Sequence, residues 1–399
     1  MSRSSIAAMV LALTCWSPLS ARAQQATAVV GTGASFPALV YSAWSFGYSK
    51  ERGQDVRYAS TGSGDGIKQM SERTVDFGAT DTPLNEKELK ASNLIQFPTM
   101  AGGIVPVINL KGVPSGGLKL SGAVLADLYS GEIRSWDDAR IAALNPGLAL
   151  PKVKVIRVVR EEASGNTEIF TGYLAKQNPA WATSTGVGKL VKWKGEVVAA
   201  KGSDAVAETV KNTPGAIGYV SFDRVLKSGL AAVALRNKAG QFVLPSETTF
   251  QAAVRASNIG KSETLTASLV DLDGLGVWPI VDLTYILLDG SPKSSERASA
   301  TAKFFYWAFL KGDTLIRGTG FAALPTEVQV LVVRKLAEIK PLDGKSINLT
   351  RRSAEGLVAR WDSSVGDLRH RGSAMLQGLL PLSSLSRMLQ DLTAFNPQS

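Results

Sequence analysis

The chain has 399 residues, 45% of them hydrophobic, and a formal charge of +10 from 44 Lys and Arg against 34 Asp and Glu. That length buries ample core for two domains and an appendage, and the composition is not that of a disordered chain. A single cysteine, Cys15, and a single histidine, His370, argue against a disulfide scaffold, an ordinary Ser-His triad and a His-rich metal site in the body of the protein.

The basic residues are scattered rather than gathered into runs with interleaved aromatics, which argues against nucleic acid as a partner. A diffuse positive potential favouring small anions is the better reading. At the N-terminus, Arg3 precedes an apolar run from Ile6 to about Leu19, and Ala21-Arg22-Ala23 has the small-x-small pattern of a cleavage site. A signal peptide over 1–23 is therefore expected; its loss removes Arg3 and Arg22 and lowers the charge to +8. Ala12-Leu13-Thr14 before Cys15 is a poor match to a lipid-attachment site. No later stretch reaches the roughly 18–20 apolar residues of a membrane helix, so an exported, soluble protein is expected.

From 27 to 107 strand-like and helix-like runs alternate: a strand over 28–31, a helix over about 37–52 with Pro37 in its first position, a strand over 55–60, a helix over 64–73 and a strand over 77–80. Such alternation predicts parallel strands with crossover helices and ligands at the carboxyl ends of the strands. A buried strand over 102–109 leads to a Pro/Gly-rich bend at 112–118 and a second region. There, helices are expected over 121–129, 137–144 and 168–176, a strand over 153–159, and a turn and short strand over 212–220. A strand over 278–288 and a helix over 298–310 follow, the helix crowded with Phe304, Phe305, Tyr306, Trp307 and Phe309, most simply as core. After about Asn348 the composition shifts, with six arginines and no lysine from 351 to 399. Leu382, Leu385, Leu389 and Leu392, following Pro381, have the spacing of one amphipathic helix.

Three Gly/Ser/Thr segments each run into a helix: 31–36 (GTGASF), 61–66 (TGSGDG) and 163–167 (ASGNT). The first turn of a helix carries unpaired N–H groups and a partial positive charge, so the three read as parts of one anion site. Taken singly, other readings stand: Gly31, Gly33, Gly62 and Gly64 as turn residues, Arg160 in a surface ion pair, Asp81 as the cap of a helix starting near Pro83.

In family order, the strings GTGASFPALVYSAW, STGSGDGIKQ, VDFGATDTPL, FPTMAGGIVPVIN, SGEIRSWDD, SGNTEIFTGYL and TPGAIGYV closely resemble the PstS-type periplasmic phosphate-binding proteins over about 30–348. The resemblance implies an α/β fold: a two-lobe periplasmic-binding-protein clamshell with a hinge, plus a C-terminal extension. Lobe I would take 24–104 and 277–348, lobe II 105–276, and 349–399 would be an extension of unknown role, with hinge crossings near 100–106 and 273–279. It implies capture of inorganic phosphate by a periplasmic monomer and delivery to inner-membrane ABC permease subunits, with no cofactor, no metal and no catalysis. By resemblance the phosphate ligands map onto Ser35, Phe36, Ser63, Asp81, Arg160, Ser164, Gly165 and Asn166. Asp81 would accept the proton that phosphate retains and sulfate lacks, and so set phosphate over sulfate. Two departures stand out: Asn166 where a threonine is usual, and Glu161-Glu162 after Arg160, where a single acid followed by glycine is common. Glu162 would pair with Arg160, leaving an extra carboxylate near the cleft.

Two other classes stay open. A phosphatase or nucleotide hydrolase is disfavoured, because 62–68 lacks the Gly-Lys-Ser/Thr of a P-loop and 31–36 lacks the third glycine of a dinucleotide fingerprint. In an envelope interaction protein, the basic tail would dock a partner and phosphate binding would be secondary.

Overall fold

The computed structural model describes residues 28–347 and Leu349; the expected signal peptide and the expected helix after Pro381 lie outside the described residues. The chain begins with β1 (Val29–Gly33), α1 (Ala38–Arg52), β2 (Val56–Ser60), α2 (Ser63–Ser71), β3 (Phe77–Thr80), α3 (Glu86–Ser92) and β4 (Leu94–Ile108). The second region holds β5 (Lys119–Leu120), α4 (Gly122–Ser130), α5 (Ala139–Leu144), β6 (Ile156–Arg160), α6 (Gly165–Gln177), α7 (Pro179–Ser184), β7 (Val198–Ala200) and α8 (Ser203–Asn212). It continues with β8 (Ala216–Ser221), α9 (Phe222–Ser228), β9 (Ala231–Ala232), β10 (Ala234–Arg236), β11 (Phe242–Val243) and α10 (Glu247–Ala256). The chain then returns through β12 (Val281–Asp289), α11 (Ser295–Lys311), α12 (Asp313–Ile316), β13 (Phe321–Ala323) and α13 (Thr326–Ala337).

The main sheet runs β2-β1-β3-β12-β4-β8-β6-β7, with β13 and β9 against β4; β11-β10-β5 form a small second sheet. β1 is parallel to β2 and β3, and β6 to β8 and β7, as the alternating pattern demands. The two parallel sets are joined through β4, which pairs with β12 over Leu94–Gly103 and with β8 over Ile104–Ile108. A second crossing meets the same point. Ile104 donates its N–H to Ile280 O (2.9 Å) and its carbonyl accepts from Trp278 Nε1 (3.1 Å).

The structure lengthens or moves several expected elements. β4 starts eight residues before the expected strand, because Gln96 and Pro98 disguise its first half. Pro98, with no N–H to give, sits where the register against β12 shifts between Thr284 and Tyr285, a place where a ladder bond is already absent. Pro37 precedes the first residue of α1 rather than opening it. The expected strand over 153–159 forms only from Ile156, with Lys154 in an isolated bridge to Ser135. No helix begins at Pro83: α3 starts at Glu86, capped by Asn85 in a capping box with Glu88. Asp81 is therefore not a cap.

Burial follows the pattern of the sequence. Trp44, Trp136, Trp181 and Trp278 are fully enclosed, and the indole N–H of each donates to a main-chain carbonyl: Trp44 to Gly312, Trp136 to Gly215, Trp181 to Gly186 and Trp278 to Ile104. All five aromatics of α11 are buried; Phe304 and Phe305 pack against Phe77 of β3, and Phe305 against Phe97 of β4. No helix of the described residues is long and apolar enough to cross a membrane.

Candidate binding site

The strands deliver their carboxyl ends to one place. The loops after β1, β3, β6 and β8 and the starts of α2, α6 and α8 line a cavity of about 360 Å³. All eight residues singled out in the sequence are in its wall: Ser35, Phe36, Ser63, Asp81, Arg160, Ser164, Gly165 and Asn166. Thr82, Lys189, Ser203, Ser221, Asp223 and Arg224 line it as well. Glu161, expected near the cleft as an extra carboxylate, is exposed and is not in the wall.

Helix capping separates this place from the rest of the fold. α3, α4, α5, α7, α10 and α11 are each capped by a side chain at the N-terminus. By contrast, α1, α2, α6, α8 and α9, whose N-terminal ends bring residues to the cavity, have no side-chain cap; α12 and α13 are the other two without one. At α6 the Ser164 residue occupies the cap position with extended backbone, yet its hydroxyl caps nothing. The first N–H groups of α6 are thus left to whatever enters the cavity, with the positive end of the helix dipole behind them.

Close packing holds the loops. Gly33 has φ +135°, and a Cβ there would lie 2.1 Å from Ala79 O, so only glycine lets β1 turn beside β3. Its carbonyl accepts from the N–H groups of Thr61 (3.0 Å) and Gly62 (2.8 Å), which ties the first loop to the second. The Ser63 hydroxyl accepts from the Asp81 N–H at 3.1 Å, leaving its own proton to donate.

Asp81 is half-buried at the end of β3. One carboxylate oxygen accepts from the Thr284 hydroxyl at 2.8 Å. Thr99 donates to the Thr284 carbonyl (3.4 Å) and lies 2.7 Å from the Tyr41 hydroxyl, so a chain of hydroxyls backs the acid. Burial pushes the Asp81 carboxyl up to about 7, against the opposing pull of the Thr284 hydrogen bond and the Lys189 charge. Two residues before Thr284 on the same strand face, Asp282 is 6% exposed and takes only the N–H of Leu283 (2.8 Å). Burial, with the charge of Asp81 adding to it, holds Asp282 well above the carboxylate range.

The two arginines of the wall are already partnered. Arg160, at the end of β6, gives Nε to Glu162 (2.9 Å) and Nη1 to Ser203 (3.1 Å), while its Nη2 also meets Glu162. Burial alone would raise the Glu162 carboxyl; the bonds from Arg160 and the Gly202 N–H hold it below the usual range instead. Arg224 is paired with Asp223 (2.6 Å) and Asp204 (3.1 Å). The cavity therefore offers oriented neutral donors, the ammonium of Lys189 and guanidinium groups fixed by carboxylates, together with the raised carboxyl of Asp81. The two walls also touch: Thr82 Oγ1 donates to Glu168 Oε2 at 3.2 Å, and a Cβ on Gly165 would lie 3.6 Å from Asp81 Cβ. Among the described residues no group of three or more His, Cys, Asp or Glu has a metal-holding arrangement.

Sequence reasoning missed Thr82, Lys189, Ser203, Ser221, Asp223, Arg224 and Thr284. Lys189 is one of three lysines in 186–195, and no feature of that stretch marks which one faces inward. Ser203 follows a glycine at the start of α8, the same Gly-Ser-into-helix pattern as Ser63, and that signal was available.

A two-lobe α/β fold with an anion-type cavity at its strand ends defines a class, and the sequence comparison agrees: a family model described as a PBP superfamily domain matches residues 20–311. The chain is 39% identical over 325 residues to the phosphate-binding protein PstS of Pasteurella multocida, covering 81% of this chain and 94% of that one. It is 39% identical over 305 residues to PstS of Haemophilus influenzae, covering 76% and 91%. The chain belongs to the PstS family of phosphate-binding proteins. Among solved structures, it has the fold of a high-affinity periplasmic phosphate-binding protein determined with phosphate bound at pH 8.5 (TM-score 0.58, 23% identity, covering 76% of this chain and 92% of that one).

Proposed function

We propose that this chain captures inorganic phosphate in the cavity and delivers it to an ABC-type permease of the inner membrane, working as a monomer in the periplasm without catalysing a reaction. The observation that carries this reading is the convergence of uncapped helix N-termini on one cavity whose wall also holds an acid. The Phe36, Gly165 and Asn166 amides and the Ser35, Ser63 and Ser164 hydroxyls donate to phosphate oxygens. Arg160, held flat by Glu162 and Ser203, adds a charge-assisted fork worth about 1.5–3 kcal/mol per bond. Asn166 keeps the backbone donor that a threonine there would supply.

In this reading lobe I comprises 24–104 and 277–348 and lobe II 105–276, and the lobes pivot where β4 changes partners and Trp278 meets Ile104. Titration calorimetry of ligand-stripped protein tests it: one phosphate per chain with at most micromolar Kd supports the reading. Absence of heat with phosphate, or sustained phosphate release from simple esters, would overturn it.

A further inference from the structure

The segment that follows α7 has no helix or strand, yet its backbone is fixed at several points. Gly186 O accepts from Trp181 Nε1 (2.9 Å), Gly188 donates its N–H to the buried Thr171 hydroxyl (3.2 Å), and Lys189 O accepts from the Ser164 N–H (2.8 Å). Further along, the Trp193 ring packs against Trp181, Tyr129 and Tyr219. Three lysines ride on this frame. Lys192 and Lys194 are exposed, whereas Lys189 is half-buried and lines the cavity. Its main chain is bonded to the residue at the N-cap of α6, while its ammonium has no hydrogen-bond or ion-pair partner among the described residues.

The charge of the wall turns on that ammonium. Arg160 is held by Glu162, and Arg224 by Asp223 and Asp204, so each guanidinium meets an incoming anion with its charge already matched. An acid in contact with a guanidinium cancels much of its attraction for a third charge. Asp81 and Asp223 add negative charge to the same wall. Of the three cations there, Lys189 is the one whose charge acts on the Asp81 carboxyl. A dianion taken out of water into this cavity needs a positive charge that is not already spent, because an uncompensated buried charge is costly.

We propose that Lys189 is a further ligand of the anion, a point charge that supplies the net positive potential which the paired arginines do not. This role rests on the reading of the cavity as a phosphate site. The bond from Ser164 fixes the root of the side chain beside the uncapped start of α6, and the flexible four-carbon stem brings three N–H donors to the oxyanion that the helix end grips. An ammonium reads charge rather than the ligand's proton, so Lys189 adds affinity and leaves the choice between phosphate and sulfate to Asp81. In the empty cavity the same ammonium balances Asp81.

Calorimetry with phosphate at pH 8, in low and in moderate salt, tests this on the native chain, Lys189→Met and Lys189→Arg. Lys189→Met keeps an unbranched side chain and removes the charge; phosphate binding weakens about 10- to 100-fold and depends less on salt than in the native chain. Lys189→Arg, which restores the charge, recovers most of the affinity. Circular dichroism melting confirms that each variant is folded. A phosphate Kd in Lys189→Met within about threefold of native, or a loss that Lys189→Arg does not restore and that leaves the salt dependence unchanged, overturns the role of Lys189 while the phosphate site stands. A native chain that gives no heat with phosphate overturns the site itself, and this role with it.

Discussion

Replacing Asp81 by Asn separates the shape of the acid from its charge. The amide oxygen keeps the 2.8 Å bond from Thr284, so the side chain stays in place, while the group facing the cavity changes from an acceptor to a donor. Hydrogen phosphate brings a proton that must be accepted, and losing that charge-assisted bond costs about 1.5–3 kcal/mol, or roughly 10- to 150-fold in Kd. Sulfate has no proton at the same pH; it gains a donor and escapes a like charge, and its affinity rises. The ratio of the two Kd values therefore falls by about two orders of magnitude or more. Calorimetry at pH 8 is the assay, because a carboxyl pushed up to about 7 is mostly ionised there. A ratio unchanged within threefold refutes the idea that this acid discriminates between the anions.

The same raised carboxyl makes sulfate binding pH-dependent: below about 7 Asp81 carries a proton to donate, so sulfate affinity of the native chain rises as pH falls, whereas Asp81→Asn is flat in a titration from pH 8 to 5.5. Stability moves as well. The unfolded carboxyl ionises near 3.8 and the folded one near 7, so between them the unfolded state holds fewer protons and stability falls as pH rises. Ligand-free Asp81→Asn escapes that loss, on the order of a few kcal/mol, and melts higher than the native chain at pH 8, with the gap closing toward pH 4. Arg160→Lys keeps the charge but cannot hold Glu162, Ser203 and an anion together; phosphate binding measured by calorimetry weakens about 10- to 100-fold. Gly33→Ala forces a methyl to within 2.1 Å of Ala79 O and costs about 3 kcal/mol or more, whereas Gly64→Ala meets open space and leaves the unfolding free energy from denaturant melts within about 0.5 kcal/mol of native.

The alternation from β1 to β3 was readable because β1 and β2 stop at Gly/Ser turns and β3 at Asp81-Thr82-Pro83, and residues of those turns line the cavity. The first half of β4 was not, since Pro98 and Gln96 argue locally for a loop and only pairing with β12 makes the segment a strand. Asp81 drew attention as an acid beside anion loops, but its support from Thr284 joins residues 203 positions apart, which no local pattern encodes. No element was expected between 220 and 278, and nothing local marks Asp223 or Arg224; the turn from β8 into α9 is what brings them to the cavity. The pairing of Glu162 with Arg160 was expected from the family resemblance, and the two side chains do meet.

Gly102 and Gly103, where β4 is about to exchange partners, have no vacant space beside them: a Cβ on Gly102 would lie 2.5 Å from the Phe36 ring, and one on Gly103 would lie 2.2 Å from Phe250. The Phe36 ring also meets Phe321 edge-on at 4.8 Å. In the proposed reading, where the Phe36 amide receives the anion and the lobes pivot at this exchange of partners, seat and axle share one part: the residue that meets the guest rests its ring on the pivot.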